Sequence, residues 1–136
     1  MASIEKDIAD YLEDNALGTV GTDIFVSQYT VNAPDEAVMI KQVGGAGQHL
    51  YVALQTVDIA FVARSKTFNG AVNKLTAIQS LFDNKTRFSL GVNRKFIMYF
   101  YTAEARVDMG RDVNGIVEQV QNYVVRYREY DSYDTI

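Results

Sequence analysis

Apolar residues recur at helical spacing in two stretches of the chain and at alternate positions in several others. In the first stretch Ile4, Ile8, Tyr11 and Leu12 form one stripe, and Glu5, Lys6, Asp10, Glu13 and Asp14 fill the opposite side. Ser3 reads as the N-cap, Glu5 and Asp7 sit in the first turn where acids favour the positive end of the dipole, and Asn15 and Gly18 are stop signals. The pattern predicts a helix over 4–16. In the second stretch Phe68, Ala71, Val72, Leu75, Ile78 and Leu81 share a stripe. Thr67 reads as its cap and 83–85 as its end, which predicts a helix over 68–82.

The remaining apolar positions read as strands. Residues 23–27 are short and β-prone, and 30–36 form a loop in which Pro34 disfavours a central strand. Residues 37–43 predict a half-buried strand. Gly44, Gly45 and Gly47 then break the pattern as a flexible loop. Over 55–64, Val57, Ile59, Phe61 and Ala63 share one face at period two, and Asp58, Ala60, Val62 and Arg64 share the other. A short strand is expected near 87–89. Over 94–103, Phe96, Met98 and Phe100 alternate with Ile97, Tyr99 and Tyr101, so both faces need cover. Residues 106–115 read as a turn-rich connection with Asn114 and Gly115 at its tight turn, 116–129 as a long last strand and 130–136 as a polar, frayed tail. The expected order is α-β-β-(β)-α-β-β, an α+β fold in which two helices pack on one face of a mainly antiparallel sheet. No internal repeat or domain boundary is visible over 1–136.

Composition narrows the function classes. The chain has no Cys, which excludes disulfides, thiolate metal sites and thiol catalysis. Its net charge of −4 gives no footprint for tight nucleic-acid binding. No stretch approaches the roughly 20 apolar residues of a membrane helix, and the first residues do not read as a signal peptide.

The candidate chemistry is thin. His49 is the single histidine and follows a glycine stretch with no acidic neighbour, so it reads as loop polarity rather than a general base. The glycines at 44, 45 and 47 lack the Lys and Ser or Thr of a phosphate loop and precede β-prone sequence. Asp108, Asp112 and Asn114 alternate like oxygen ligands but lack the further ligands of a calcium loop; turn hydrogen bonds are the reading for Asp112 and Asn114. The pairs Glu13–Asp14 and Asp35–Glu36 read as solvated faces. Arg94, Arg126 and Arg128 stand among aromatic residues in strands, where ion pairs with a partner or across the sheet are the expectation.

The order of these elements carries a resemblance. A first helix leads to Ile24 and Phe25, a Pro34 loop, then Ala37-Val38-Met39-Ile40 running into Gly44-Gly45. A long strand ends in Phe61-Val62-Ala63-Arg64-Ser65, a helix carries Ala71, Leu75, Ile78 and Leu81, and Met109 to Gly115 turn into the last strand. From about residue 4 to 128 the chain resembles the tail terminator (minor capsid) proteins of long, non-contractile-tailed bacteriophages; the departure is 49–55, longer and more apolar than the family leads one to expect.

That resemblance implies a structural virion protein, made in the host cytoplasm and placed at the tail–head junction. It implies a hexameric ring that ends tail-tube polymerisation, meets the head-completion protein of the connector and lets DNA pass through its lumen without specific binding. It implies no catalytic residue, cofactor, metal or membrane. Another connector or tube component, or a small-ligand α+β domain with a pocket between helix and sheet, are the alternatives. The residues expected at protein interfaces are Pro34, Gly44, Gly45, Gly47, His49, Tyr99, Tyr101, Arg111 and Asp112, with 44–49 mobile until a partner orders it.

Overall fold

The strictest period-two alternation in the chain becomes the centre of the sheet. The computed structural model describes residues 4–29, 33–48, 54–82, 88–90, 95–102, 106–111 and 114–128. The strands are β1 (Ile24–Val26), β2 (Ala37–Gln48), β3 (Leu54–Ser65), β4 (Phe88–Leu90), β5 (Lys95–Thr102), β6 (Val107–Arg111) and β7 (Val117–Arg128), with helices α1 (Ile4–Asp14) and α2 (Phe68–Phe82). They form one sheet in the order β1-β2-β3-β7-β5-β4, with β6 also paired to β7. All pairings are antiparallel except β1 with β2, which is parallel. The α+β expectation of two helices and a mainly antiparallel sheet holds.

β3 and β7 run side by side from Leu54 opposite Arg128 to Ser65 opposite Val117 with no slip. Their alternation therefore stays in phase, and one face of both strands is committed to the core. Val57, Ile59, Phe61 and Ala63 join Val117, Tyr123, Val125 and Tyr127 in the buried cluster, with Ile4, Ile8 and Leu12 of α1 and Ala71, Leu75, Ile78 and Phe82 of α2 above them. The Phe82 ring stacks on Phe100 at 3.9 Å, and Phe61 meets Tyr123 edge-on at 5.3 Å. Leu75→Ala or Ile78→Ala should cost roughly 2–5 kcal/mol in a denaturant titration; a loss under about 1 kcal/mol would mean that this face of α2 is not buried.

Four readings change, each for a local reason. The glycines at 44, 45 and 47 lie inside β2 rather than in a free loop. Pairing with β3 continues through register shifts at 42/44 and 44/47 to Gln48 opposite Gln55, and residues without Cβ tolerate such bulges. Residues 107–111, read as part of a turn, form β6. Gly110 (φ 82°) sits at a bulge, and its N–H donates to the Asp108 carboxylate at 2.8 Å. In β5 a register shift between Ile97 and Tyr99 breaks the assigned alternation, so Ile97 and Phe100 are both buried in the core while Tyr101 is exposed. Phe68 is 49% exposed, because the buried spacing of α2 begins one turn later at Ala71.

α1 ends in a left-handed residue that the stop signals did not single out. Ala16 has φ 62°, its N–H donates to the Glu13 carbonyl at 3.0 Å, and the Leu17 N–H reaches the Leu12 carbonyl at 3.0 Å. This is the Schellman closure, with Leu17 packed against the core beside Leu12. The Ser3 cap and the ends at 83–87 lie outside the described residues. At α2 the Thr67 hydroxyl accepts from the Gly70 N–H at 3.0 Å, as an N-cap does. Gly70 is required there, since a Cβ would lie 2.1 Å from the Ser65 hydroxyl.

Glu36 ties the start of β2 to the start of α2. Its carboxylate accepts from Lys74 Nζ at 2.6 Å, from the Lys66 N–H at 2.9 Å and from the Ser65 hydroxyl at 2.7 Å. The Lys74 bond, followed by that from Lys66, holds the Glu36 carboxyl at about 2, below its ordinary 4.5. A depressed carboxyl contributes stability that is complete above its unfolded value and lost as pH falls through the folded one. Wild type should therefore exceed Glu36→Gln in stability above pH 4.5. The gap should close as pH falls toward 2, as read by denaturation across that range. A gap independent of pH would refute the tie.

Candidate interaction surface

Alternation that commits one face of β3 and β7 to the core turns the other face away from the helices. Its outward residues are Thr56, Asp58, Ala60, Val62 and Arg64 on β3 and Glu118, Val120, Asn122, Val124 and Arg126 on β7, placed by the unbroken register. Among the described residues no helix covers this side. Its centre is nevertheless apolar: Met39 and Val43 of β2, Ala60, Val62, Val120, and Val107 and Met109 of β6 line an open groove of about 480 Å³, with Lys41, Glu118 and Asn122 among them. Val43, Val107 and Met109 are 51%, 41% and 61% exposed. Exposed aliphatic and thioether side chains gathered on one face mark an interaction surface more than scattered ones do.

A polar corner closes one end of the face. Ser27, with φ 71°, turns the chain after β1, and the Tyr29 hydroxyl donates to the Val62 carbonyl at 2.7 Å. The Arg64 guanidinium lies 4.9 Å from the centre of the Tyr29 ring. Burial, and secondarily the Glu118 carboxylate, push the Tyr29 phenol well above its ordinary value while Arg64 opposes them.

The other end is a second hollow of about 430 Å³, lined by Thr56, Tyr101, Val124 and Arg126. The strand registers explain its composition. One row across four strands reads Gly47, Thr56, Arg126, Tyr99; the next reads Gly44, Asp58, Val124, Tyr101. Four of the residues expected at interfaces thus fall on two adjacent rows of one sheet. Tyr101 is 53% exposed. Gly45 lies at the β2 bulge between these rows.

The remaining expected residues lie elsewhere. Pro34 is exposed ahead of β2, beside the Asp35–Lys66 pair at 3.8 Å, at the far end of the sheet. Arg111 ends β6 opposite Val117, and its Nη1 donates to the Gly115 carbonyl at 2.7 Å, so it fastens the turn into β7. His49 and Asp112 lie outside the described residues, which leaves the calcium-like spacing of Asp108, Asp112 and Asn114 without a geometry to judge. Sequence reasoning passed over Thr56 and left Arg126 among dispersed arginines. Register, invisible in a single sequence, is what brings them together.

On the helix side, a half-open hollow of about 540 Å³ lies between α1, α2 and the β1–β2 edge, walled by Leu12, Ile24, Val38 and Ile78. The two oppositely charged groups at its rim, Glu36 and Lys74, bind each other. Among the described residues no three acidic or histidine side chains gather as a metal site would need.

A sheet backed by two helices matches the α+β fold expected from the sequence pattern, and comparison with known proteins decides the family. A family model described as bacteriophage tail terminator protein matches residues 11–129. The chain belongs to the bacteriophage tail terminator family. No curated protein matches it. The matched segment runs from within α1 to the residue after β7, so it includes Leu12 of α1, all of α2 and the whole outer face. This tail terminator family member is thereby a virion-associated structural protein.

The surface makes a graded prediction about stability. Met109→Ser should change the unfolding free energy by less than about 0.5 kcal/mol, as exposed substitutions do. Val62→Ser, on the same face but 8% exposed, should cost about 1–3 kcal/mol. Equal losses at both would show that β6 is as firmly packed as β3 and that the groove is not open.

Proposed function

We propose that this protein closes into a hexameric ring on the head-proximal end of the phage tail tube, stops tube growth there and presents the head-facing surface to the connector's head-completion protein. The observation that carries this reading is the family match over residues 11–129. The open sheet face supports it, because an exposed apolar groove on a small chain calls for a protein partner. The charge balance supports the lumen. At a net charge of −4 the ring carries no general attraction for the DNA that slides through it, so passage needs no specific contact. Turnover is not part of this role, and the reading assigns no catalytic side chain.

The test is tube growth. Purified tail-tube subunits polymerised with and without this protein are measured by electron microscopy, and native mass spectrometry counts the copies at the tip. Capped tubes of limited length with six-fold density at one end are expected. Tubes of unchanged length, or protein bound along their sides, would overturn the proposal.

A further inference from the structure

Among the described residues, unpaired charges of opposite sign stand on opposite sides of this chain. On the outer sheet face, the Nε of Arg126 is buried without a hydrogen-bond partner, and among the described residues its guanidinium has no ion pair. Its row neighbours, Thr56 and Tyr99, are neutral. The carboxylate one row away, Asp58, leans toward β2: its Oδ2 lies 3.6 Å from where a Cβ on Gly44 would stand. Arg128, the next outward position on β7, is already engaged within the chain. Arg126 thus offers a fork of donors into a hollow edged by the Thr56 and Tyr101 side chains, a geometry suited to a carboxylate.

The complementary orphan is at the end of α1. Glu13 and Asp14 close the helix, both exposed, and no basic residue occupies the last turn. Among the described residues neither side chain has a hydrogen bond or ion pair, whereas Asp10, one turn earlier, is held by Lys6 at 2.5 Å. Carboxylates at a helix C-terminus face the negative end of its dipole, so this pair is repelled by its own helix until a cation arrives. α1 packs on the helix side of the sheet, against β1, β2 and β4, and the Arg126 hollow is on the other side. No single chain can join the two.

We propose that the Arg126 hollow receives the Glu13 and Asp14 carboxylates of a second copy of this chain. The proposal rests on the reading that copies assemble, and it names the residues of one contact between them. The contact is heterologous, one surface meeting a different surface, which is the type that propagates around a ring. DNA phosphate is the less fitting occupant. Among the described residues the hollow offers one free cation amid neutral ones, and a phosphate backbone is tracked by rows of cations.

The cysteine-free sequence makes proximity measurable. Full-length Asn15→Cys and Asp58→Cys chains, which leave the acids and the hollow's lining in place, are mixed, assembled on tail tubes and treated with a short bismaleimide. A cross-linked dimer containing one chain of each kind is expected from the mixture and from neither chain alone. Adding Arg126→Gln to the Asp58→Cys chain should lower its yield by roughly tenfold or more. Assembly without that cross-link, or a yield indifferent to Arg126→Gln, would overturn the proposal while leaving the ring reading standing. Absence of any assembly on tubes would defeat both. Duplex DNA bound by wild type and released by Arg126→Gln in an electrophoretic assay would assign the hollow to phosphate and overturn it as well.

Discussion

The unslipped pairing of β3 with β7 is the constraint on which the rest depends. Twelve-residue strands locked in one register, Leu54 to Arg128 and Ser65 to Val117, separate inward from outward side chains along the full height of the sheet. A slip of β7 by one residue against β3 would turn Tyr123 and Val125 toward solvent and put Glu118 and Arg126 under the helices. The penalty for burying those charges unpaired is far larger than any local gain, so the register is set by the pattern itself. Strands added on either side inherit the division, and they depart from it only at bulges: in β2 at the glycines, in β5 before Tyr99, in β6 at Gly110.

Around that pair the two faces have different chemistry. The helix side is apolar and aromatic, and some of the polar groups that enter it tie its layers together, while the Gln119 Nε2 is buried without a hydrogen-bond partner. Arg106 ties one such place: its Nε donates to Gln121, and its two terminal nitrogens to Thr76 and Gln79 of α2, so a cation just ahead of β6 pins the helix layer down. Glu36 does the same at the opposite end of α2 through Lys74 and Ser65. Among the described residues the outer side has no such layer. Its cover is partial, Tyr29 at one corner and the side chains of β6 along an edge, and between them the groove stays open.

Much of this was legible in the sequence, and the exceptions share a cause. The helix over 68–82 and the two faces of 55–64 followed from periodicity alone, because a helix or a central strand is a local pattern confirmed many times over within its own length. What sequence missed was relational. The glycines at 44–47 look like a loop because nothing in them demands pairing; it is β3 that extends the ladder past them. Within 94–103, Phe100 and Tyr101 kept opposite faces as expected but Ile97 shares the core with Phe100, because a bulge shifts parity without a sequence signature. Arg126 looked like one of several scattered arginines until register set it in a row with Thr56 and Tyr99. The family resemblance was read from element order and length, which survive such local errors, and the family match bears it out.

The central claim is that the helix-free sheet face is where this tail terminator family member meets the rest of the particle. Two methionines report on it directly, Met109 at 61% exposure and Met39 beside it in the groove. Thioether oxidation tracks access, and mass spectrometry reads it residue by residue. Brief peroxide treatment of the free protein and of assembled tails, followed by peptide mapping, measures the change at each. The account predicts that Met109 oxidises readily in the free protein and is protected severalfold in the tail. Equal oxidation of Met109 in both states would contradict it.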